Sequence, residues 1–505
     1  KILAKTEMDT NDILFNLGQL VKNWYWIPLA LLYIMVIATI LIENRNPPKT
    51  IAWILVIIFL PVIGIVIYFF FGQKFKREQF FRRFDESQRR IVEKRWDKME
   101  NSIQEELDEV RHQIGDLTKV FRYLNTVRVA PPSLHNEVQL LINGEEKFPL
   151  FLETIQNAKE YIHVEYYIFE EDEIGNQIIE LLIDKAQNGV EVRVMVDDFG
   201  SPKLNKHQKR FEGTKVEFQT FLPVHFNSLA NSNYRNHRKI LIVDSKIAFV
   251  GGINISDKYI NLNDEKNPKN KVYWRDTSVM IKGNAVNILQ LHFYNNWMMT
   301  EGKPYNPFEA KYFYHSEENN SNQHAVISYG LTSPGDQVHS AMEAMILGIT
   351  LAKKKVQICT PYFIPSDEFK TALMIAASTG IEVELIIPEK GDSIIVQQAA
   401  LSFLKPLLKR GVKVYLYQKG FIHSKTITID DQLAYIGTVN LDSRSFFINF
   451  EITSVIHDKN LLEKMAHYFE IDRNNSVLIA LQDWENRPWY HRAFASICRL
   501  LAPIL

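Results

Sequence analysis

Cysteine is scarce in this chain, with only Cys359 and Cys498 among 505 residues. Two thiols cannot build a disulfide framework or a cysteine-rich zinc site, and such sparing use fits a reducing compartment. Neither charge sign is in excess, since 58 Lys and Arg face 59 Asp and Glu for a formal net charge of -1. A near-neutral chain has no global attraction to nucleic acid or anionic lipid, so an anionic partner must be held by a local basic site. No nucleic acid partner is expected. The sequence also has no HExxH, no CxxC, no Walker loop and no GxGxxG. No metal or other cofactor is therefore expected from motifs. A mean hydropathy of -0.15 excludes a polytopic transporter, because most of the chain must meet water. The 46% hydrophobic and 23% charged content is that of a chain with a packed core, long enough for about three domains.

The apolar residues are concentrated. WYWIPLALLYIMVIATILI runs from Trp24 to Ile42, and IAWILVIIFLPVIGIVIYFFF from Ile51 to Phe71. Neither holds a charge, and each nears the roughly 20 residues a helix needs to cross a bilayer. Pro61 and Gly64 would damage a soluble helix but are tolerated in a membrane one. Trp24, Trp26 and the cluster from Tyr68 to Phe71 sit near run ends, where interfacial aromatics gather. A cleaved signal peptide is shorter and is not followed by a second span. Residues 1–72 are expected to form a two-helix transmembrane hairpin, with spans at about 24–42 and 51–71. The connecting loop holds only Arg45 and Lys49. After the second run come Lys74, Lys76, Arg77, Arg82, Arg83, Arg89, Arg90, Lys94 and Arg95. This bias predicts a multi-pass protein of the cytoplasmic membrane with its remaining chain on the cytoplasmic side, and the same cluster can attract anionic headgroups. Residues 73–130 read as a charged helical linker, a solvated connector with i,i+4 pairing.

The rest of the chain repeats itself with a period of about 190 residues, the mark of domain duplication. AKEYIHVEYYIFEEDEIGNQIIELLIDKAQNGVEVRVMVDD in the first half answers to AKKKVQICTPYFIPSDEFKTALMIAASTGIEVELIIPEK in the second. Each reads as apolar strand, acidic turn, amphipathic helix, Gly189 or Gly380, then a β-branched strand. That alternation predicts an α/β fold, with one domain at 131–320 and a second at 321–505.

Each copy carries H-x-K-x4-D, an apolar strand, a Gly and an Asn. His237, Lys239, Asp244, Gly252 and Asn254 answer to His423, Lys425, Asp430, Gly437 and Asn440. One such pattern is weak; two at equivalent places in a duplicated domain are strong. Residues two apart on a strand share a face, so each His and Lys point the same way. Each Asp lies seven positions on, an odd step, and reads as a structural member of its motif. Pseudo-two-fold symmetry would bring two imidazoles, two ammoniums and two amides to one point. That set suits a phosphodiester. The lysines can neutralise non-bridging oxygens and the asparagines donate hydrogen bonds, while one imidazole attacks phosphorus and the other protonates the leaving oxygen.

On these motifs the chain resembles the phospholipase D superfamily and, within it, the bacterial cardiolipin synthases. The resemblance also rests on NPPKTIAWILV, YYIF, TPYFIP, WRDT at Trp274 to Thr277, GFIHSK at Gly420 to Lys425, LDSRSFFINFE, and an apolar tail RLLAPIL. It implies two tandem phospholipase D-like domains and two-step transfer through a phosphohistidine. His237 would be the nucleophile and His423 the general acid, then base. Asp276 and Glu451 match the acidic residues that orient the imidazoles, typically that of the opposite half, and which serves which is open. The implied reaction joins two phosphatidylglycerols into cardiolipin and glycerol. A hydrolytic phospholipase D or a phosphatidylserine synthase with the same site is the alternative. In the C-terminal stretch Trp489, Ala493, Ile497, Leu500 and Leu501 follow helical spacing, which suits either an interfacial helix or core packing.

Overall fold

A computed structural model describes residues 26–42, 47–68, 103–105, 107–206, 208–223, 233–261, 272–301, 312, 324–336 and 338–502. The basic flank from Lys74 to Arg95, Trp24 and residues 69–71 lie outside the described residues. The chain divides into two units, residues 1–79 and 80–505.

Among its described residues the first unit contains three apolar helices, Trp26–Ile42, Pro47–Phe59 and Pro61–Ile67. The second apolar run is broken at Leu60, whose φ of -124° and ψ of 71° are not helical. Pro61 lacks an N–H and its ring crowds the preceding turn. Ile40, Ile57 and Tyr68 are buried against Tyr33, Val36, Trp53, Ile54 and Ile65, while Ile34, Ile42, Phe59 and Val62 are exposed. No helix among the described residues is long and apolar enough to cross a membrane. The longest of the three has 17 residues, about 25 Å at 1.5 Å per residue.

The second unit is α/β. Its first half gives β1 (Ser133–Ile142), β2 (Tyr161–Tyr166), β3 (Glu191–Asp197), β4 (Val216–Phe221), β5 (Lys239–Val243), β6 (Ile247–Gly251), β7 (Trp274–Arg275) and β8 (Thr277–Lys282). Its second half gives β9 (Ala325–Thr332), β10 (Lys355–Cys359), β11 (Glu382–Pro388), β12 (Lys413–Tyr417), β13 (Phe421–Ile422), β14 (Thr426–Ile429), β15 (Leu433–Gly437), β16 (Glu451–His457) and β17 (Ser476–Leu478). Fifteen of these form one sheet in the order β17-β12-β11-β10-β14-β15-β16-β9-β1-β8-β6-β5-β2-β3-β4. Read outward from the β9–β1 pair, the two directions match for seven strands each, with β17 added at the edge of the second lobe, so the duplication in sequence is a pseudo-two-fold axis between β9 and β1. In the lobes β2-β3-β4 and β10-β11-β12 are parallel, β17 closes the second trio antiparallel to β12, and β5 or β14 returns antiparallel beside β2 or β10. The crossovers are helices Glu173–Gln187 and Asp367–Ser378, N-capped by Asp172 and Ser366. Such caps satisfy backbone donors at the helix start.

The strands that carry the motifs read as unbroken apolar runs because they are interior to the sheet and covered on both faces; all of β5 and β15 is buried. The expected linker ends differently from a solvated connector. Leu107, Val110, Ile114, Leu117, Val120, Phe121 and Leu124 are buried in the same hydrophobic cluster as Val356, Ile358 and Leu385 of the second lobe. The charged residues between them hide this stripe from a count of composition.

Asp244 and Asp430 sit away from the histidines, at the far ends of β5 and β14. Asp244 and Ser245 have φ of 51° and 47°, Asp430 and Asp431 both 54°, and two successive positive φ values mark the hairpin turn matched to strand twist. Asp244 accepts the backbone N–H groups of Lys159, Glu160 and Tyr161, each at 2.9 Å. Asp430 accepts those of Lys353, Lys354 and Lys355 at 2.7, 2.7 and 2.9 Å. Each carboxylate thus ties its hairpin to the start of the neighbouring strand. Asp430→Ala removes three acceptors at once and is expected to lower stability by about 2 kcal/mol, read as a shifted denaturation midpoint, with a smaller effect on turnover per folded molecule.

Candidate active site

The two motif histidines precede β5 and β14, and each is held by backbone from the other lobe. His237 N–H donates to Phe450 O at 2.9 Å and Phe450 N–H donates to Arg235 O at 2.9 Å. In the other half-site His423 N–H donates to Arg275 O at 2.7 Å and Phe421 N–H donates to Tyr273 O at 2.8 Å. Phe450 precedes Glu451 and Arg275 precedes Asp276, so this exchange delivers a carboxylate to each imidazole. His237 Nδ1 lies 3.0 Å from Glu451 Oε2, and His423 Nδ1 lies 2.6 Å from Asp276 Oδ2. Both carboxylates are fully buried. An ionised carboxylate can only accept, so each Nδ1 carries the proton and Nε2 is the bare, reactive nitrogen.

The carboxylates are themselves held. Asp276 Oδ1 accepts from Thr277 N–H at 2.7 Å. Glu451 Oε1 accepts from Ser445 Oγ at 3.0 Å and Asn449 Nδ2 at 3.3 Å. Glu is one methylene longer than Asp, and these two extra donors hold its freer end. Burial alone would raise both carboxyl pKa values. In Asp276 the charges of Lys425 and His423 and the hydrogen bonds from His423 and Thr277 together outweigh it, and in Glu451 the charges of His237 and Lys239 with the hydrogen bonds from His237 and Thr438 do so, leaving both below the ordinary range.

Lys239 and Lys425 are buried beside their histidines. Lys239 Nζ donates to His237 O at 2.6 Å, and Lys425 Nζ lies 2.8 Å from His423 Nδ1. Burial pushes Lys239 down to about 7 and Lys425 to about 8, against the opposing pull of Glu451 and Asp276. His237 is lowered by burial against Glu451, with Lys239 and Lys425 adding to the depression. His423 falls to about 4, through burial and then Lys425, opposed by Asp276. Lysines from both lobes act on each imidazole, so the half-sites share one electrostatic field.

The asparagines differ. Asn254 is committed locally, since its Nδ2 donates to Tyr259 Oη at 2.7 Å and its Oδ1 accepts from Ile168 N–H at 3.2 Å. Asn440 is buried with its Oδ1 unpartnered; that oxygen accepts, so it is open to a hydroxyl donor, whereas a phosphoryl oxygen could be met only by the Nδ2 donor. Gly252, the motif glycine, is needed for close approach: a β-carbon there would overlap the Asp276 carboxylate.

Several site residues escape sequence reasoning. The ring of Tyr167 lies 4.6 Å from that of His237 and 5.2 Å from Lys239 Nζ. The rings of Trp274, Phe421, Tyr259 and Tyr362 surround His423 at 5.4, 5.7, 6.2 and 6.4 Å. Tyr167 and Tyr362 follow β2 and β10, and their signal is an aromatic just past the same strand of each repeat. Asn143, at φ 57°, accepts from Asp276 N–H through its Oδ1 at 2.9 Å; 133 residues of separation leave no signal for it. Beside His423 opens a cavity of about 510 Å³ lined by Tyr273, Trp274, Lys390, Asp392, Lys419 and Phe421.

Two lobes that each give an imidazole and an ammonium, and lend a carboxylate to the other, define a duplicated phospholipase D-type site. Comparison with known proteins agrees. The family described as "Cardiolipin synthase, PLD-like domain" matches residues 151–271 and 345–473, and that described as "Phospholipase_D-nuclease N-terminal" matches 31–73. A cardiolipin synthase of Alkalihalophilus pseudofirmus is 36% identical over 94% of this chain and 92% of its own. The major cardiolipin synthase of Bacillus subtilis is 34% identical over 94% of this chain and 97% of its own. Phosphatidylserine synthase of Haemophilus influenzae, 15% identical, shares the fold with a TM-score of 0.59 over 77% of this chain and all of that one. The chain belongs to the cardiolipin synthase family.

Gly252→Ala should displace Asp276 and leave His423 without its orienting partner. A shift of about 1 Å at such a contact costs on the order of 10²-fold in rate. Turnover measured on protein with unchanged circular dichroism checks this.

Proposed function

We propose that the chain is a phosphatidyltransferase that makes cardiolipin from two phosphatidylglycerols. The observation that carries this reading is the pair of imidazoles, each oriented through Nδ1 by a buried carboxylate of the opposite lobe and flanked by a buried lysine. The relatives named cardiolipin synthase supply the substrate class. His237 Nε2 attacks the phosphorus of the first phosphatidylglycerol, forming an N–P bond as the P–O bond to glycerol breaks. His423 gives its proton to the departing glycerol oxygen. In the empty site burial and Lys425 keep His423 unprotonated at neutral pH; the anionic phosphodiester offsets that field and lets the ring take up the proton it then delivers. The terminal hydroxyl of a second phosphatidylglycerol next loses its proton to His423 and attacks phosphorus. The N–P bond breaks and cardiolipin leaves. Lys239 and Lys425 neutralise the phosphoryl oxygens through both steps, and the Nδ2 donor of Asn440 is assigned to the same oxygens. Asp244 and Asp430 hold the scaffold.

Water must lose to a lipid alcohol in the second step, and the aromatic wall around His423 supports that exclusion. Placement in the cell membrane completes the reading. The apolar runs from Trp24 and from Ile51 carry no charge, and we assign them to a membrane hairpin whose basic flank faces the cytoplasm. Exposure of Ile34, Ile42, Phe59 and Val62 supports it, since such side chains are at home in lipid.

Purified protein in phosphatidylglycerol vesicles is expected to release glycerol and cardiolipin in equal amounts, and His237→Ala to abolish both. Phosphatidic acid as the sole product, or turnover that survives His237→Ala, would overturn the assignment. The lysine values predict a second outcome. As pH rises through about 7 to 8 the free enzyme loses ammonium charge, so kcat/KM falls there. A bound phosphodiester keeps the lysines charged, so kcat holds to higher pH. Parallel decline of both parameters would remove the lysines from phosphate binding.

A further inference from the structure

The C-terminal helix Trp489–Arg499 packs with its small residues inward. It buries Ala495 and Cys498, the latter against Ile364, Ala399 and Ala400. Its large apolar residues point out: Trp489 is 73% exposed, Tyr490 57%, Phe494 46% and Ile497 62%, and Leu500 just beyond it 78%. At 3.6 residues per turn these share one arc of about 140°. The neighbouring helix Ile394–Ser402, on which this one packs, adds Ile394 and Ile395, also exposed. A water-facing helix normally presents the opposite arrangement, and exposed apolar surface of this extent marks an interaction site.

The composition identifies the occupant. From Asn486 to Ala502 there are three arginines, Arg487, Arg492 and Arg499, and neither Asp nor Glu. Trp and Tyr with arginines around an apolar arc are the composition of a helix lying in the headgroup region of an anionic bilayer. A second copy related by a two-fold would set these arginines against their own images. The patch also adjoins the site. Helix Ile394–Ser402 follows Gly391 and Asp392, which line the cavity beside His423, and Tyr362 Oη donates to Asp392 Oδ2 at 2.5 Å.

We propose that this face rests on the anionic membrane surface and holds the cavity mouth at headgroup level, where lipid substrates enter. The inference builds on the phosphatidyl-transfer reading. Its test uses the full chain in phosphatidylglycerol vesicles, with an environment-sensitive fluorophore on Leu500→Cys. Quenching by brominated acyl chains is expected. The combined variant Trp489→Ser, Phe494→Ser and Ile497→Ser should lose roughly tenfold or more in kcat/KM on vesicles, while turnover of short-chain phosphatidylglycerol below its micelle concentration is unchanged. An unquenched label, a doubled mass that depends on these residues, or equal loss on both substrates would overturn the docking surface. Absence of cardiolipin from wild-type protein on either substrate sinks the transfer reading instead, and lipid quenching still decides the surface by itself.

Discussion

Everything at the candidate site depends on the exchange of backbone between the lobes. His237 lies on the strand path of Phe450, and His423 on that of Arg275, so each imidazole meets a carboxylate from the other half of the chain. Because that carboxylate is buried and the imidazole shields it, neither can be removed singly at low cost. An uncompensated buried charge costs about 3–5 kcal/mol. The interaction therefore fixes the ring tautomer, orients Nε2 and binds the lobes together. On the proposed reading, catalysis and assembly rest on the same contacts.

The electrostatics follow from that geometry. Two lysines and two imidazoles are enclosed with two carboxylates, and burial holds both lysines below their ordinary range. In the proposed reaction a bound phosphodiester gives the buried lysines an anionic partner that favours their charged form. On the proposed reading, recognition of the phosphate and activation of the groups around it are one event. Aromatic side chains close the space around His423 and strengthen each of these interactions by keeping water out.

The legible part of the molecule was its repeated, local chemistry. H-x-K-x4-D appears twice with its helix and strands, and the odd spacing from His to Asp already assigned Asp244 and Asp430 to the scaffold, where they cap neighbouring strands. The apolar stripe from Leu107 to Leu124 was hidden by the charged residues around it, because composition averages over faces that a helix separates. The break at Leu60 shows the reverse case. Pro61 stood in plain view, but an apolar run of that length reads as one helix until its backbone geometry is seen. The spacing of Trp489, Ile497 and Leu500 left exposed and core packing open; only the neighbouring helix, already satisfied by Ala495 and Cys498, decides for exposure.

The sequence by itself determined which groups could react, since residue type sets donor, acceptor and charge, and a strand period of two sets which of them share a face. It also determined that there were two of everything. Only the tertiary structure decided how the halves combine: Glu451 with His237, Asp276 with His423, Tyr167 and Tyr362 against the rings, and Asn440 open while Asn254 is committed to Tyr259. Those are contacts between segments as far as 214 residues apart. Distances of that kind are set by how fifteen strands order themselves around one axis, and no local pattern encodes that order.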